Sequence, residues 1–329
     1  MTEPSDKLFV GLDVGRTIRA ALVREDGHIL KQQRVVAEVS DASVLIDQLV
    51  EAINAVQEVD GERQPVLAAG IGWAGMVNHR KQRIEVNPNL VDVSSYDLHK
   101  ELQRSTGLPV VVDNDANVAA YGEWRAGAAT DSTDAFYITM GTGIGAGLIL
   151  GGQLQRGSLG FAGEFGHFKI AMEGLECACG STGCLETVAS GPNIVRRVRE
   201  QLFSDPSFSV SKLAHDMEGK LTNRRVVQAA LEGDELALKV LKETGRVLGM
   251  AVASIMNLLN VEVVVLGGGV MAAGELILKP LREQTKKATM APSFDCCQIV
   301  PAKLGQDAGI IGAALLARDT LERHATKKL

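Results

Sequence analysis

The sequence predicts an α/β protein built from two similar lobes with a cleft between them. Three observations lead there. The chain opens with two apolar runs, Leu8–Val14 and Ile18–Val23, joined by the glycine turn Gly15-Arg-Thr17, a pattern for two strands and a tight connection. The same unit returns as Ala135–Met140, Gly141-Thr-Gly-Ile-Gly145 and Ala146–Leu150. The length of 329 residues corresponds to about two domains at roughly 100–200 residues each. A composition of 46% hydrophobic and 22% charged residues is that of a folded chain.

The elements follow in order. Asp26-Gly27 makes a second turn and Ile29 starts a third strand, giving a meander. In Ser43–Val56 the apolar residues Val44, Leu45, Leu49, Ile53 and Val56 recur with the period of an amphipathic helix. Val66–Ile71 reads as a strand ending in Gly72-Trp-Ala-Gly75, and Leu98–Thr106 as a short helix. Leu108–Val112 reads as a buried strand running into Asp113-Asn-Asp115, with a helix from Ala116. In the second half, a helix over Glu235–Asn257, a strand over Val261–Leu266 and the turn Gly267-Gly-Gly269 precede a last helix from Ala308, for which Asp307 is a suitable cap.

The net charge is −6, which argues against a broad nucleic-acid surface, because phosphate binding needs a basic face. The N-terminus lacks the basic and apolar regions of a secretory signal. The most apolar region, Leu248–Ala273, is interrupted by Asn257, Asn260, Glu262 and three glycines, so it reads as core rather than as a membrane span. A cytoplasmic location, without nucleic-acid or membrane partners, is expected. Five cysteines, three of them within eight residues, fit metal binding better than a disulfide framework.

Glycine turns after apolar strands can present backbone N–H groups to an anion. Gly15-Arg-Thr17 and Gly141-Thr-Gly143 each add a threonine hydroxyl. As a pair, one per lobe, they could grip a triphosphate from two sides; singly, each could equally be a plain hairpin turn. His167 with Cys177, Cys179 and Cys184 offers three thiolates and one imidazole, a closed tetrahedral shell for a structural zinc. Gly180 and Gly183 would let that loop fold back. Cys296-Cys297 lies in a strand-like stretch and reads as core. Asp115 stands at a helix start, where it is either a chemical group or a cap, a role open equally to Asp113 or Asn114. Glu164 and Glu186 flank the metal loop, which could hold their carboxylates toward sugar hydroxyls.

Together these motifs resemble the ROK family (repressors, open reading frames and sugar kinases) of the actin-like hexokinase superfamily. The resemblance rests on Gly11-Leu-Asp13-Val-Gly15-x-Thr17, Gly72-x-x-Gly75, Pro88-Asn89-Leu90, Asp113-Asn-Asp115-Ala-Asn117 and Gly141-Thr-Gly-Ile-Gly145. It continues through Ala162-Gly-Glu164-x-Gly-His167, the cysteine run to Glu186, Leu266-Gly-Gly-Gly269 and Asp307-Ala-Gly309-x-x-Gly312. Within the family, the run from Gly183 to Ser190 is most similar to bacterial glucokinases. The first turn differs from the family's usual Gly-Gly-Thr-Lys, with Arg16 second and Ile18 fourth, and Trp73-Ala74 stands where Pro is usual.

The resemblance implies two actin-like (ribonuclease H-like) lobes: residues 1–115 with 306–329 as the small lobe, and 116–305 as the large lobe carrying the zinc loop. It implies ATP-dependent phosphorylation of a hexose at its 6-hydroxyl, with D-glucose first. An N-acetylhexosamine kinase and a catalytically dead sugar-binding protein are the alternatives. Asp115 would be the base. Gly75, Asn89, Asn114, Glu164, His167 and Glu186 would bind sugar. Asp13, Gly15, Thr17, Gly141, Thr142, Gly143, Gly268 and Gly269 would serve ATP, with Asp13 near Mg²⁺. His167 would bind zinc through one ring nitrogen and sugar through the other. A homo-oligomer, dimer or tetramer, is expected.

Overall fold

The computed structural model describes residues 7–38, 40–87, 90, 93, 96–216 and 221–326. The first half runs β1 (Leu8–Val14), β2 (Thr17–Arg24), β3 (Ile29–Val36), α1 (Ala42–Gln57), the small hairpin β4 (Glu58–Val59) and β5 (Glu62–Arg63), and β6 (Val66–Trp73). The hairpin β7 (Met76–Asn78) and β8 (Arg83–Val86) follows, then α2 (Leu98–Thr106), β9 (Val110–Asn114) and α3 (Asp115–Ala126). The second half has β10 (Ala135–Met140), β11 (Ile144–Leu150), β12 (Gln153–Gln155), α4 (Glu186–Ala189), α5 (Gly191–Ser204), α6 (Asn223–Leu231) and α7 (Glu235–Leu259). It ends with β13 (Val263–Gly267), α8 (Glu275–Ala288), α9 (Ala291–Asp295), β14 (Gln298–Pro301) and α10 (Ala308–Thr326).

Two five-stranded sheets carry the fold. Their orders, β3-β2-β1-β6-β9 and β12-β11-β10-β13-β14, are the same pattern used twice, as the recurrence in the sequence implies. In the first sheet β1–β3 form an antiparallel meander, while β6 and β9 run parallel to β1. A parallel neighbour requires a crossover, which α1 and α2 provide. Two compact units result: Met1–Tyr137 with Gly147–Gly163 and Ala302–Leu329, and Ile138–Ala146 with Glu164–Pro301.

In the first unit, successive residues of β1 alternate between the two sheet faces. One face packs onto α1 and α2: Val10, Leu12, Ile71 and Val112 meet Leu45, Leu49 and Ile53 of α1 and Leu102 of α2. The other face takes α10, with Phe9, Ala21 and Ala68 against Ile310, Ala314 and Ala317. The approach of α10 is close enough that a Cβ on Gly11 of β1 would lie 1.8 Å from the Ile310 carbonyl oxygen. α10 also meets α3 through glycine, a Cβ on Gly312 falling 1.7 Å from the Val118 carbonyl oxygen. Buried Glu123 of α3 accepts from the backbone N–H groups of Lys303 and Leu304 at 3.0 and 2.7 Å, fastening the chain just before α10. α3 is thereby held in one place, and its first turn presents Asp115.

In the second unit β13 is fully buried and runs parallel to β14, with the 25-residue α7 packed along α8. A Cβ on Gly268, just after β13, would lie 2.3 Å from the Met140 carbonyl oxygen, so the turn after β13 abuts the end of β10. Cys296 and Cys297 form the turn between α9 and β14, the first exposed and the second half-buried. The expectation that they sit in a core strand fails because α9 runs up to Asp295, immediately before them, and the strand starts only after them.

Candidate functional site

The first unit places Asp115 at the opening of α3. The cap is Asn114: its Oδ1 accepts from the N–H groups of Ala116 and Asn117 at 2.9 and 3.1 Å. That assignment leaves Asp115 as the first helical residue, in a turn whose N–H dipoles suit an anion. Its Oδ1 accepts from Ala116 N–H at 2.9 Å and from Asn114 Nδ2 at 3.0 Å. Asn114 Nδ2 also donates to the Gly75 carbonyl at 3.0 Å. The Asn114 side chain thus makes four hydrogen bonds within the protein, the full capacity of an amide, and orients Asp115 through one of them. Gly75 is enclosed: a Cβ there would lie 2.4 Å from the Val86 carbonyl oxygen. Asn89 lies outside the described residues.

Asp13, near the end of β1, sits opposite Arg19 of β2 in the ladder. Burial raises its carboxyl above the ordinary value, against the pull of Arg19. Arg19 itself pairs with Asp307 and bonds the Gln306 carbonyl. The Gly15 N–H donates across the turn to the Thr17 carbonyl at 3.2 Å, which spends that donor. Arg16 is exposed, and its φ lies outside the left-handed region. The turn therefore needs no glycine at that position, and Arg16 sits there without backbone strain.

The second turn repeats this arrangement: Gly141 N–H donates to the Gly143 carbonyl at 2.9 Å, and the Gly141 carbonyl accepts from Gly191 N–H of α5 at 2.9 Å. Among the described residues, apart from each glycine's own chain neighbours, no atom lies within 4 Å of where a Cβ would stand on Gly141 or on Gly269. The space over these glycines is open rather than filled by the chain's own packing. Thr142 lies between the two turn glycines.

His167, Cys177, Cys179 and Cys184 converge, with their ligand atoms all within 4.8 Å of one another. The loop folds back through Gly180 and Gly183, at φ +80° and +70°, where glycine is unstrained. The Cys177 N–H donates to the Ser181 carbonyl at 2.7 Å, and the Ile170 N–H to the Gly183 carbonyl at 2.9 Å. A tetrahedral zinc, with arms of about 2.3 Å to sulfur and about 2.0 Å to nitrogen, has edges of roughly 3.8 and 3.6 Å. The Cys179–Cys184 sulfurs stand 3.7 Å apart, and Cys177 Sγ stands 3.6 Å from His167 Nδ1. The donor set fits zinc in its chemistry, and these two of its six edges fit in spacing. Burial pushes the Cys177 thiol up to about 11, a cost that a cation would offset. Lys169 Nζ, 2.9 Å from Cys184 Sγ, supplies positive charge beside the cluster.

The opposite ring nitrogen, His167 Nε2, lies 3.9 Å from Glu164 Oε2. Burial raises the Glu164 carboxyl above its usual value; His167 opposes the shift and the Glu186 carboxylate adds to it. Glu186 opens α4 two residues after Cys184, and its Oε2 accepts from the Ile144 N–H at 2.8 Å. The cysteine loop and its flanks therefore bring together two carboxylates and an imidazole, and one of those carboxylates touches the second glycine turn. Sequence reasoning found Glu164, His167 and Glu186 but not the bond to Ile144, which joins a side chain to a backbone group 42 residues away. It also missed Arg156, whose Nε lies 2.5 Å from Asp113 Oδ2 and which no motif marks.

Two five-stranded sheets of the same strand order, each with a glycine turn between two successive strands, define the actin-like, hexokinase fold. The chain belongs to the ROK family, whose pattern it matches over residues 9–320. A glucokinase of Streptomyces coelicolor is 35% identical over 320 residues, covering 95% of this chain and 98% of that one. An N-acetylmannosamine kinase of Escherichia fergusonii is 31% identical over 94% of this chain and 98% of that one. Among solved structures, a ROK family glucokinase from Streptomyces griseus, in complex with glucose and AMPPNP, superposes with a TM-score of 0.82 at 35% identity, covering 95% of this chain and 99% of that one. No helix among the described residues is long and apolar enough to cross a membrane.

Proposed function

We propose that the protein is an ATP-dependent glucokinase, transferring the γ-phosphoryl group of ATP to the 6-hydroxyl of D-glucose. The observation that carries this reading is Asp115. It is the first carboxylate of α3, its Oδ1 held by the Ala116 N–H and oriented by the Asn114 amide, in a chain 35% identical along 95% of its length to a glucokinase. Phosphoryl transfer asks a protein for positioning and charge neutralisation more than for covalent chemistry. Asp115 accepts the proton of the sugar hydroxyl as its oxygen attacks phosphorus, and the bond to ADP breaks. Glu164 and Glu186 accept hydrogen bonds from other sugar hydroxyls, and His167 Nε2 faces the same group. The N–H groups and hydroxyls at Thr17 and Thr142 serve the phosphates, and Gly268 and Gly269 back the nucleotide.

Asp13 would hold Mg²⁺, which neutralises phosphate charge when bound; a buried carboxylate opposed by one arginine suits a cation that keeps most of its own waters. His167, Cys177, Cys179 and Cys184 would hold a structural zinc, which supplies rigidity to the sugar-binding loop. A metal on Nδ1 fixes the proton on Nε2, making His167 a hydrogen-bond donor toward sugar.

A second reading is an N-acetylhexosamine kinase, favoured by the 31% identity to an N-acetylmannosamine kinase. ATP consumption measured with glucose, mannose, N-acetylglucosamine and N-acetylmannosamine, with and without Mg²⁺, separates the two. The first reading requires glucose to give the highest kcat/KM. Preference for an acetamido sugar replaces it with the second, and no turnover with any sugar removes both.

A further inference from the structure

The corner that presents Asp115 is fixed from behind by an ion pair between a buried carboxylate and a half-buried arginine. Asp113 is 1% exposed, and its two oxygens are divided between two tasks. Oδ2 pairs with Arg156 Nε at 2.5 Å. Oδ1 accepts from Asn114 N–H at 2.8 Å and from Asn117 Nδ2 at 2.9 Å. One carboxylate thus grips the last residue of β9 and the first turn of α3, on either side of Asp115. Asn114, held in this way, donates to Asp115 Oδ1 at 3.0 Å and to the Gly75 carbonyl at 3.0 Å.

The surroundings support the pair. The Arg156 carbonyl accepts from Ala162 N–H at 3.1 Å, which closes the loop that carries the arginine. On the β7–β8 hairpin, Gln82 Oε1 accepts from Val112 N–H at 2.8 Å, and Gln82 Nε2 donates to the His79 carbonyl at 2.7 Å. The first bond ties the hairpin to β9, the second closes the hairpin's own turn, and Gln82 sits there at φ +51°. His79 faces the pair; burial, then the charge of Arg156, lowers its pKa, against the pull of Asp113.

A buried ion pair is a poor source of net stability, because desolvation offsets the attraction. What it supplies is direction, since the planar guanidinium and the three bonds to one carboxylate allow a single arrangement. We propose that Arg156 and Asp113 are positioning residues for phosphoryl transfer, acting through Asn114 on the Asp115 carboxylate. The proposal rests on Asp115 being the base.

The test is a double-mutant cycle on steady-state kinetics. Arg156→Met and Arg156→Lys are each made alone and together with Asp115→Asn. Arg156→Met lowers kcat by about tenfold to a hundredfold, the scale of a displaced catalytic group, while the sugar KM stays within about threefold. In the Asp115→Asn background the same substitution costs nothing further, because residues acting as one unit are not additive. Arg156→Lys recovers part of the loss. Equal losses in both backgrounds, or a raised sugar KM with unchanged kcat, overturn the proposal. Should Arg156→Met fail to fold, Arg156→Lys carries the same cycle, with a smaller loss confined to the Asp115 background. Near-normal turnover of Asp115→Asn by itself removes the base assignment and this proposal with it, an outcome read from the single variant before the cycle is closed.

Discussion

Alanine at either glycine of the second turn separates the turn's role toward ligand from its role in the fold. Among the described residues beyond its chain neighbours, a Cβ on Gly141 would meet no atom within 4 Å, and the residue's φ lies outside the left-handed region. Gly141→Ala should leave the thermal midpoint of the ligand-free protein unchanged within about 2 °C. If the γ- or β-phosphate closes on this turn, the added methyl group overpacks that contact, at about 1–3 kcal/mol, and the KM for ATP rises about fivefold to a hundredfold. A Cβ on Gly143 would instead lie 2.6 Å from Glu186 Oε2, so Gly143→Ala pushes that carboxylate off the Ile144 N–H. A hydrogen bond to a charged group contributes about 1.5–3 kcal/mol, and Glu186 is proposed to bind sugar, so on that reading the glucose KM rises together with the ATP KM. Thermal melts and two-substrate kinetics on both variants read these effects. An unchanged ATP KM in Gly141→Ala would refute the placement of phosphate at this turn.

Further outcomes follow from other parts of the site. Protein purified without added metal carries one zinc per chain by elemental analysis, and its removal weakens glucose binding measured calorimetrically; a metal-free protein with three titratable thiols in this loop contradicts the cluster's role. Arg16→Gly changes the ATP KM by less than about tenfold, or roughly 1.4 kcal/mol, because Arg16 is exposed and unstrained; a larger change makes it a phosphate ligand. Glu164 has a raised pKa, so its ionisation costs folding stability as pH rises above the ordinary carboxylate value. Glu164→Gln therefore raises the melting temperature near pH 7, with the gain vanishing toward about pH 4, where the wild-type carboxyl is protonated. An equal shift at both pH values would show that the effect is not electrostatic.

Much of this fold is legible in the chain because its elements are locally consistent. The apolar runs Leu8–Val14 and Ala135–Met140 and the glycine turns after them mark both halves, and the strand orders repeat accordingly. The cysteine loop is equally local: His167 and three cysteines, with glycines where the backbone must turn left-handed. Boundaries slip where pairing decides them. β11 begins at Ile144 rather than Ala146, since a hairpin ladder can include a glycine that apolarity ignores.

The sequence is silent where a distant residue chooses among local equals. Asp113, Asn114 and Asp115 can all cap a helix; Asn114 does so because Asp113 is turned inward by Arg156, 43 residues later. The same dependence hides the tie of Glu186 to Ile144. Arg16 is the converse case. Set against the family's glycine it suggests strain, and only the backbone angle of the folded turn shows that there is none.

The central claim, that this chain phosphorylates a hexose with Asp115 as its base, is tested most directly by product formation from glucose and MgATP. Wild-type protein and Asp115→Asn are compared at saturating substrate, with glucose binding measured in parallel. Wild type should form glucose 6-phosphate. The variant should turn over at least about a hundredfold more slowly, the low end of general-base contributions, while still binding glucose. Turnover of the variant close to that of wild type would contradict the account.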